Sequence, residues 1–287
     1  MEKSLFHALN DDFYISDSPL ERYKQNSQEN ENVIEKDDCP KIVFIVPYRD
    51  REQQLLFFQR HMKYILEDFE KTDVQMLICH QCDKRSFNCG AMKNIGFHII
   101  KQTYPKQYQN ITLVFNDVDT LPFNKNFIDY QTKQGVVKHF YGFKHTLGGI
   151  VSINASDFER INGFPNFWAW GYEDNMLCDR VKQHNIHIDR QQFYPFADKN
   201  ILHFYDGYLK QVNKKEFERY AKNTKEGLYS IYNLNYTFNE ENQTYDIQTF
   251  DTGTHENIQY KTVHDLHKGT TPFRHLRSTR GGMSLNL

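Results

Sequence analysis

The sequence is short of several things, and each shortage removes a class of protein. No stretch approaches the roughly eighteen consecutive apolar residues of a membrane-spanning helix. The first twenty residues, MEKSLFHALNDDFYISDSPL, lack the basic start and apolar run of a secretory leader. The expectation is a chain without a transmembrane anchor, in a cytoplasmic or virus-like setting, or in the Golgi lumen if it has been cut from a longer protein. Charge of one sign is also missing. The formal net charge is −2, so neither nucleic acid nor an anionic membrane is indicated as a partner. Cysteine is scarce and odd in number, with five residues at 39, 79, 82, 89 and 178, too few and too uneven for a disulfide framework. Cys79 and Cys82 form a CHQC segment that resembles half of a zinc site, but no second pair follows at ligand spacing. Reduced thiols are the expected state. No GxGxxG follows the first apolar run and there is no Walker motif, which argues against a dinucleotide-binding or P-loop enzyme.

What is present is more directive. Aromatic residues make up 15% of the chain, which suits either a packed core or a groove whose walls stack on sugars and bases. Residues 1–38 are polar and read as a flexible lead-in. From residue 39 to 263 the pattern is that of a single domain. KIVFIVPYRD is a buried strand opening into a polar loop, and Glu52 to Phe69 carries apolar residues at helical spacing. VQMLICH, CGAMKNIGFHIIKQTY and ITLVFNDVD then repeat strand, helix, strand. This order predicts an α/β, Rossmann-type nucleotide-binding fold with a mainly parallel central sheet. Residues 39–122 form its nucleotide-binding part. A less regular part at 123–230 contains helices near 173–184 and 214–226, and 244–263 alternates like a hairpin turning near Thr252 and Gly253, giving a C-terminal hairpin within 231–263. Residues 264–287 read as a basic, loosely held tail.

In parallel sheets ligands gather at the carboxyl ends of the strands. Asp117 and Asp119 follow the third strand, where one or both could bind a hard cation; the alternative is a polar turn. Arg49 and Arg51 follow the first strand, where guanidinium forks can grip a diphosphate while Pro47 and Tyr48 pack against a base; solvated surface arginines are the alternative. His203 is a ligand candidate or a satisfied structural residue. In NGFPNFWAWGYEDNMLCDR, Glu173 and Asp174 fall in the first turn of a helix, where the dipole favours acids by about 0.3–1 kcal/mol each. Both tryptophans of the chain, Trp168 and Trp170, lie just before them. A carboxylate beside an aromatic wall is placed to take a proton from a sugar hydroxyl.

The ordered blocks VPYRDR, FNCGAMKNIGF, VFNDVDTLP, GGIVSINASDFERINGFPNFWAWGYEDN, HFYD and FERYAKNTKEG resemble the β-1,4-galactosyltransferase family, from about Ile42 to Gly227. The resemblance implies a GT-A-like fold and an inverting transfer of galactose or N-acetylgalactosamine from a UDP-sugar donor to a glycan or glycoprotein acceptor, with manganese, or magnesium in its place, as cofactor. It implies Pro47, Tyr48, Arg49, Arg51, Phe87, Asp117, Val118, Thr146 and Trp170 as donor-binding residues and Asp119, His203 and Asn200 as metal ligands. Asp174 is implied as the catalytic base beside Glu173, with Tyr172, Glu173 and Asp174 on the acceptor side; Trp168 is assigned to packing. Departures from the family pattern are Cys89 for an arginine, Asn200 for a methionine, Thr146 for a tyrosine near the donor's 2-position, Tyr172 for a glycine, and an acidic or lysine position near Glu216 for an arginine. Thr146 leaves room for an N-acetyl group. Cys89 and Asn200 keep open the alternative of a sugar- or nucleotide-binding protein with little turnover.

Overall fold

The computed structural model describes residues 39–205, 207–222, 225–269 and 272. The lead-in at 1–38 and most of the expected tail lie outside them. Among the described residues no helix is long and apolar enough to cross a membrane.

Strand β1 (Ile42–Tyr48) is buried along its whole length because alternate residues feed cores on both faces of the sheet. Val43 and Ile45 join one core; Ile42, Phe44 and Val46 join the other. Helix α1 (Glu52–Ile65) covers the second face with Leu55, Phe58, Met62 and Ile65. It stops earlier than its apolar spacing suggests, since the amides of Glu67 and Phe69 bond three residues back in turns, while Leu66 and Phe69 still pack on the core. Helix α2 (Cys89–Thr103) covers the first face and is buried from Gly90 to Ile100. Its start is capped by Asn88, whose side chain accepts from the Ala91 amide.

Strands β2 (Val74–Gln81) and β3 (Thr112–Asn116) flank β1 in parallel, as the alternating pattern predicts. Beyond β3 the sheet turns antiparallel through β6 (Ile150–Asn154) and β5 (Val136–Gly142). Short strands β7 (His187–Asp189) and β8 (Tyr194–Pro195) add to β5 in parallel. Strand β4 (Thr120–Pro122) leaves the sheet to pair with β9 (Ile201–His203). Helices α3 (Ala155–Arg160), α4 (Glu173–Gln183) and α5 (Lys214–Lys222) complete the layer structure.

Two readings of the C-terminal region are corrected. The hairpin is formed by β11 (Tyr232–Asn239) and β12 (Thr244–Asp251), turning through residues 240–243 and not at Thr252 and Gly253. Asn239 Oδ1 accepts from the Asn242 amide at 3.1 Å and Gln243 takes φ of 55°, so side-chain bonding makes this turn without glycine. The chain does bend at Gly253, but it returns as β13 (Lys261–Asp265) on β10 (Leu209–Asn213). The boundary drawn at 264 therefore falls inside a strand. The hairpin joins the central sheet, because β12 pairs in parallel with β2.

Candidate active site

The carboxyl ends of β1 and β3 open on the same edge, and the expected donor and metal residues converge there. Buried Asn116 shapes the turn after β3, its amide donating to the carbonyls of Asp117 and Thr120, both at 2.8 Å. This turn buries Val118 and presents Asp117 and Asp119. The pairing of β4 with β9 sets Thr120 opposite His203, and the Phe204 amide donates to the Asp119 carbonyl at 2.8 Å. His203 Nδ1 is buried and has no hydrogen-bond partner among the described residues. Burial and neighbouring Asp117 push the Asp119 carboxyl up; Arg51, at 2.8 Å, and His203 oppose that rise. A carboxylate beside an orphaned imidazole nitrogen is a donor set that fits manganese or magnesium. Asn200 fits less directly: its amide nitrogen donates to Asp198 at 2.9 Å, leaving Oδ1 as the atom suited to an ion.

Glu173 and Asp174 begin α4, as their pattern predicts. The preceding Gly171 and Tyr172 both adopt left-handed φ, 92° and 83°, which turns the chain sharply into the helix. The helix is held from behind by buried Arg180, which donates to the carbonyls of Asn162 (2.8 Å), Gly163 (2.7 Å) and Glu226. Glu173 is buried, whereas the side chain of Asp174 keeps 27% of its surface exposed. Glu173 Oε2 and Asp174 Oδ1 have no hydrogen-bond partner among the described residues. Burial raises both carboxyls above their ordinary range, and the buried ammonium of Lys93 counteracts the rise.

Lys93 was not legible as a site residue. It lies on the buried face of α2, 2% exposed, with Nζ 3.3 Å from Asp117 and 3.7 Å from Asp174. The signal available was a lysine on a helix otherwise apolar around it, at Met92, Ile95 and Phe97. Gly148 was missed as well: a Cβ there would meet Asp174 Oδ2 at 2.1 Å, so the strand-leading Gly-Gly pair makes room for the carboxylate. The backbone completes the arrangement, with the Leu147 amide donating to the Asp174 carbonyl and the Asp117 amide to the Gly149 carbonyl.

Beside these groups lies a cleft of about 670 Å³ lined by Arg49, Arg51, Lys84, Arg85 and Lys261, with Asp50 as the one acid on its wall. Phe87 and Ser86 also line it. The wall is basic, although Arg49, Arg51, Arg85 and Lys261 are each ion-paired, to Asp50, Asp119, Asp83 and Glu256. Pro47 and Tyr48, expected against a base, are instead buried in β1, and the Tyr48 ring packs on His80 at 4.9 Å. Trp170 borders the cleft through its amide, which donates to the carbonyl of the lining residue Gln211 at 2.9 Å. Trp168 is core: fully buried, stacked on Phe250 at 5.5 Å, its indole N–H donating to Thr252. Tyr172 sets its ring edge-on to Phe217 of α5 at 4.4 Å. Thr146 is held in the β5–β6 loop by bonds to the Phe143 carbonyl, next to Leu147. Glu216 is buried and paired with Arg219 at 2.6 Å.

Two family models match in tandem: the N-terminal region of glycosyl transferase group 7 over residues 17–131, and a model described as the N-terminal domain of galactosyltransferase over 136–206. Among curated proteins, mouse β-1,4-galactosyltransferase 5 is 28% identical over 215 residues, covering 72% of this chain and 53% of the relative. The chain thus spans about half the length of that relative. Among solved structures, the catalytic domain of Drosophila β-1,4-galactosyltransferase 7 in complex with xylobiose superposes with a TM-score of 0.61 at 22% identity, covering 74% of this chain and 94% of that one. A mutant of the same fly enzyme, in complex with manganese, UDP-Gal and xylobiose, superposes with a TM-score of 0.58 at 23% identity and the same coverage. The fold is GT-A-like, and the chain belongs to the β-1,4-galactosyltransferase family, glycosyltransferase group 7.

Proposed function

We propose that the protein is a metal-dependent inverting glycosyltransferase that moves galactose or N-acetylgalactosamine from UDP to a hydroxyl of a glycan or glycoprotein. The observation that carries this reading is the placement of Asp174, its side chain 27% exposed and its buried Oδ1 3.7 Å from the Lys93 ammonium, which ties it to Asp117 at the carboxyl end of β3. Asp174 would take the proton of the acceptor hydroxyl as its oxygen attacks the anomeric carbon from the face opposite UDP, which inverts configuration. Glu173 is the neighbour positioned to bond sugar hydroxyls. Arg49 and the other cleft cations hold the diphosphate, with Phe87 against the nucleotide. Held by Asp119 and His203, with Asn200 Oδ1 as a third ligand, manganese or magnesium would offset charge growing on the departing diphosphate. Trp170, at the border of the cleft, is suited to closing over the donor and excluding water, which is itself a competing acceptor.

N-acetylgalactosamine stays beside galactose because Thr146 is a small side chain on the loop that touches Asp174. A second reading, a nucleotide-sugar-binding protein with weak or no turnover, draws support from the Asn200 amide being engaged by Asp198 and Asp119 by Arg51. Turnover of UDP-Gal, UDP-GalNAc and UDP-Glc with Mn²⁺ separates the two. Release of UDP by the wild type and its loss in Asp174→Asn supports the enzyme, whereas UDP binding without turnover of any donor supports the binding protein.

A further inference from the structure

The CHQC segment acquires partners that its sequence did not reveal. His80 is the next-to-last residue of β2 and Cys82 follows the strand two positions on, so both side chains leave the same face. The parallel register of β12 with β2 sets Asp246 directly beside His80. His80 Nδ1 lies 3.0 Å from Asp246 Oδ1 and 3.5 Å from Cys82 Sγ, and the three potential ligand atoms all lie within 4.8 Å of one another. Cys79, the other thiol of the segment, is fully buried on the opposite face and takes no part.

The arrangement leaves one nitrogen facing two lone-pair donors. With a proton on Nδ1 it donates toward the carboxylate; without one it faces that carboxylate lone pair to lone pair. A cation at the common point satisfies all three donors together. The surroundings hold them in place: the Tyr48 ring packs on the imidazole at 4.9 Å, Asn239 donates to Asp246 Oδ2 at 3.1 Å, and the Cys82 amide donates to the Ile247 carbonyl at 3.0 Å. Such outer contacts orient ligands in metal sites.

We propose that His80, Cys82 and Asp246 form a second metal site, separate from Asp119 and His203, that takes a borderline-soft divalent cation of the zinc or cobalt(II) kind with water as a fourth ligand. A thiolate with imidazole selects against manganese and magnesium, which prefer all-oxygen or oxygen-rich shells. Three protein ligands and an exposed Cys82 leave the remaining position to solvent. Binding exchanges the thiol proton for the ion. Burial and the charges of Asp246 and Asp83 push that thiol up to about 11, so the empty cluster holds a neutral SH group. The ion would pin the end of β2 to β12 and fix the start of the 82–86 segment, whose Lys84, Arg85 and Ser86 line the cleft.

The test is titration of the metal-stripped full chain with cobalt(II), followed by thiolate-to-cobalt charge-transfer absorption in the near ultraviolet. This readout does not depend on glycosyl transfer, and cobalt held by Asp119 and His203 has no thiolate to produce it. A single saturating charge-transfer band is expected in the wild type. The band should be lost in Cys82→Ser, weakened at least tenfold in affinity in Asp246→Asn, and retained in Asp119→Asn, with zinc displacing the cobalt. Absence of the band in the wild type, or its persistence in Cys82→Ser, overturns the proposal.

Discussion

The ammonium of Lys93 lies 3.7 Å from the Asp174 carboxylate while also reaching Asp117 at 3.3 Å, so one buried cation joins the acid at the head of α4 to the acid that follows β3. A carboxylate that burial alone would hold protonated near neutrality is thereby kept closer to ionisation, the state a base needs. Replacing Lys93 with methionine keeps the helix propensity and most of the volume but removes the charge. The acid limb of the pH dependence of UDP-sugar turnover should move to higher pH, and kcat at pH 7 should fall by about 10–100-fold. Loss of one partner from a buried cluster should also cost up to about 3 kcal/mol of stability. A pH-rate profile unchanged in Lys93→Met would sever Lys93 from the action of Asp174.

Gly148 and Gly149 are adjacent, yet alanine should act differently at each. At Gly148 the added methyl meets the Asp174 carboxylate, a side chain able to swing away. Asp174 is then displaced, and turnover should drop at least tenfold with less than about 1 kcal/mol lost in stability. At Gly149 the backbone has φ of +76° and the methyl would lie 2.6 Å from the Tyr141 carbonyl oxygen. That contact cannot swing away, so Gly149→Ala should cost about 1–3 kcal/mol of folding stability. Urea denaturation beside steady-state kinetics separates the two outcomes.

Donor choice tests Thr146. The residue is 9% exposed and its amide and hydroxyl both bond the Phe143 carbonyl, so a larger side chain has to displace its neighbours or distort the loop. Thr146→Tyr should lower kcat/KM for UDP-GalNAc at least tenfold relative to UDP-Gal, the range expected when a pocket loses room for a few heavy atoms. An unaltered ratio between the two donors would remove Thr146 from the account of donor choice.

The parts of this molecule that were legible in the sequence are those with local causes. β1 and β3 showed as apolar runs, α1 as a stripe, and the acids after β3 and at the start of α4 by position alone. What stayed hidden depends on distant partners. Lys93 reads as an ordinary helix lysine until the fold buries its face against Asp117 and Asp174. The pairing of β13 with β10 joins segments some fifty residues apart, and nothing in either strand announces the other. A glycine drew the hairpin turn to residue 253, whereas the actual turn is made by Asn239 and Gln243. His80, Cys82 and Asp246 were separated for the same reason: β12 had to be laid beside β2 before the third donor appeared.

Two buried histidines contribute to the response of the protein to acid. His98 Nε2 donates to the Leu228 carbonyl at 2.9 Å, and His139 Nε2 donates to the carbonyls of Tyr141 (3.0 Å) and Gly148 (3.2 Å) while its Nδ1 accepts from Arg190. Burial pushes both down to about 4, with Lys101 adding to the effect at His98 and Arg190 at His139. Their folded-state values lie below the unfolded value of about 6.5, so the unfolded chain binds more protons between the two. The stabilisation is therefore present above pH 6.5 and is lost as pH falls toward 4. Glu173 and Asp174 act in the opposite sense: with folded values raised, they favour the folded state at low pH and lose that contribution as pH rises. A comparison of two proteins cancels the carboxylates. His98→Gln keeps a donor for the Leu228 carbonyl but does not titrate, so its loss of stability between pH 7 and pH 4.5 should be smaller than that of the wild type by about 2–3 kcal/mol. Urea denaturation at the two pH values measures the difference, and equal losses in both proteins would show that His98 is not among the groups that acid must charge.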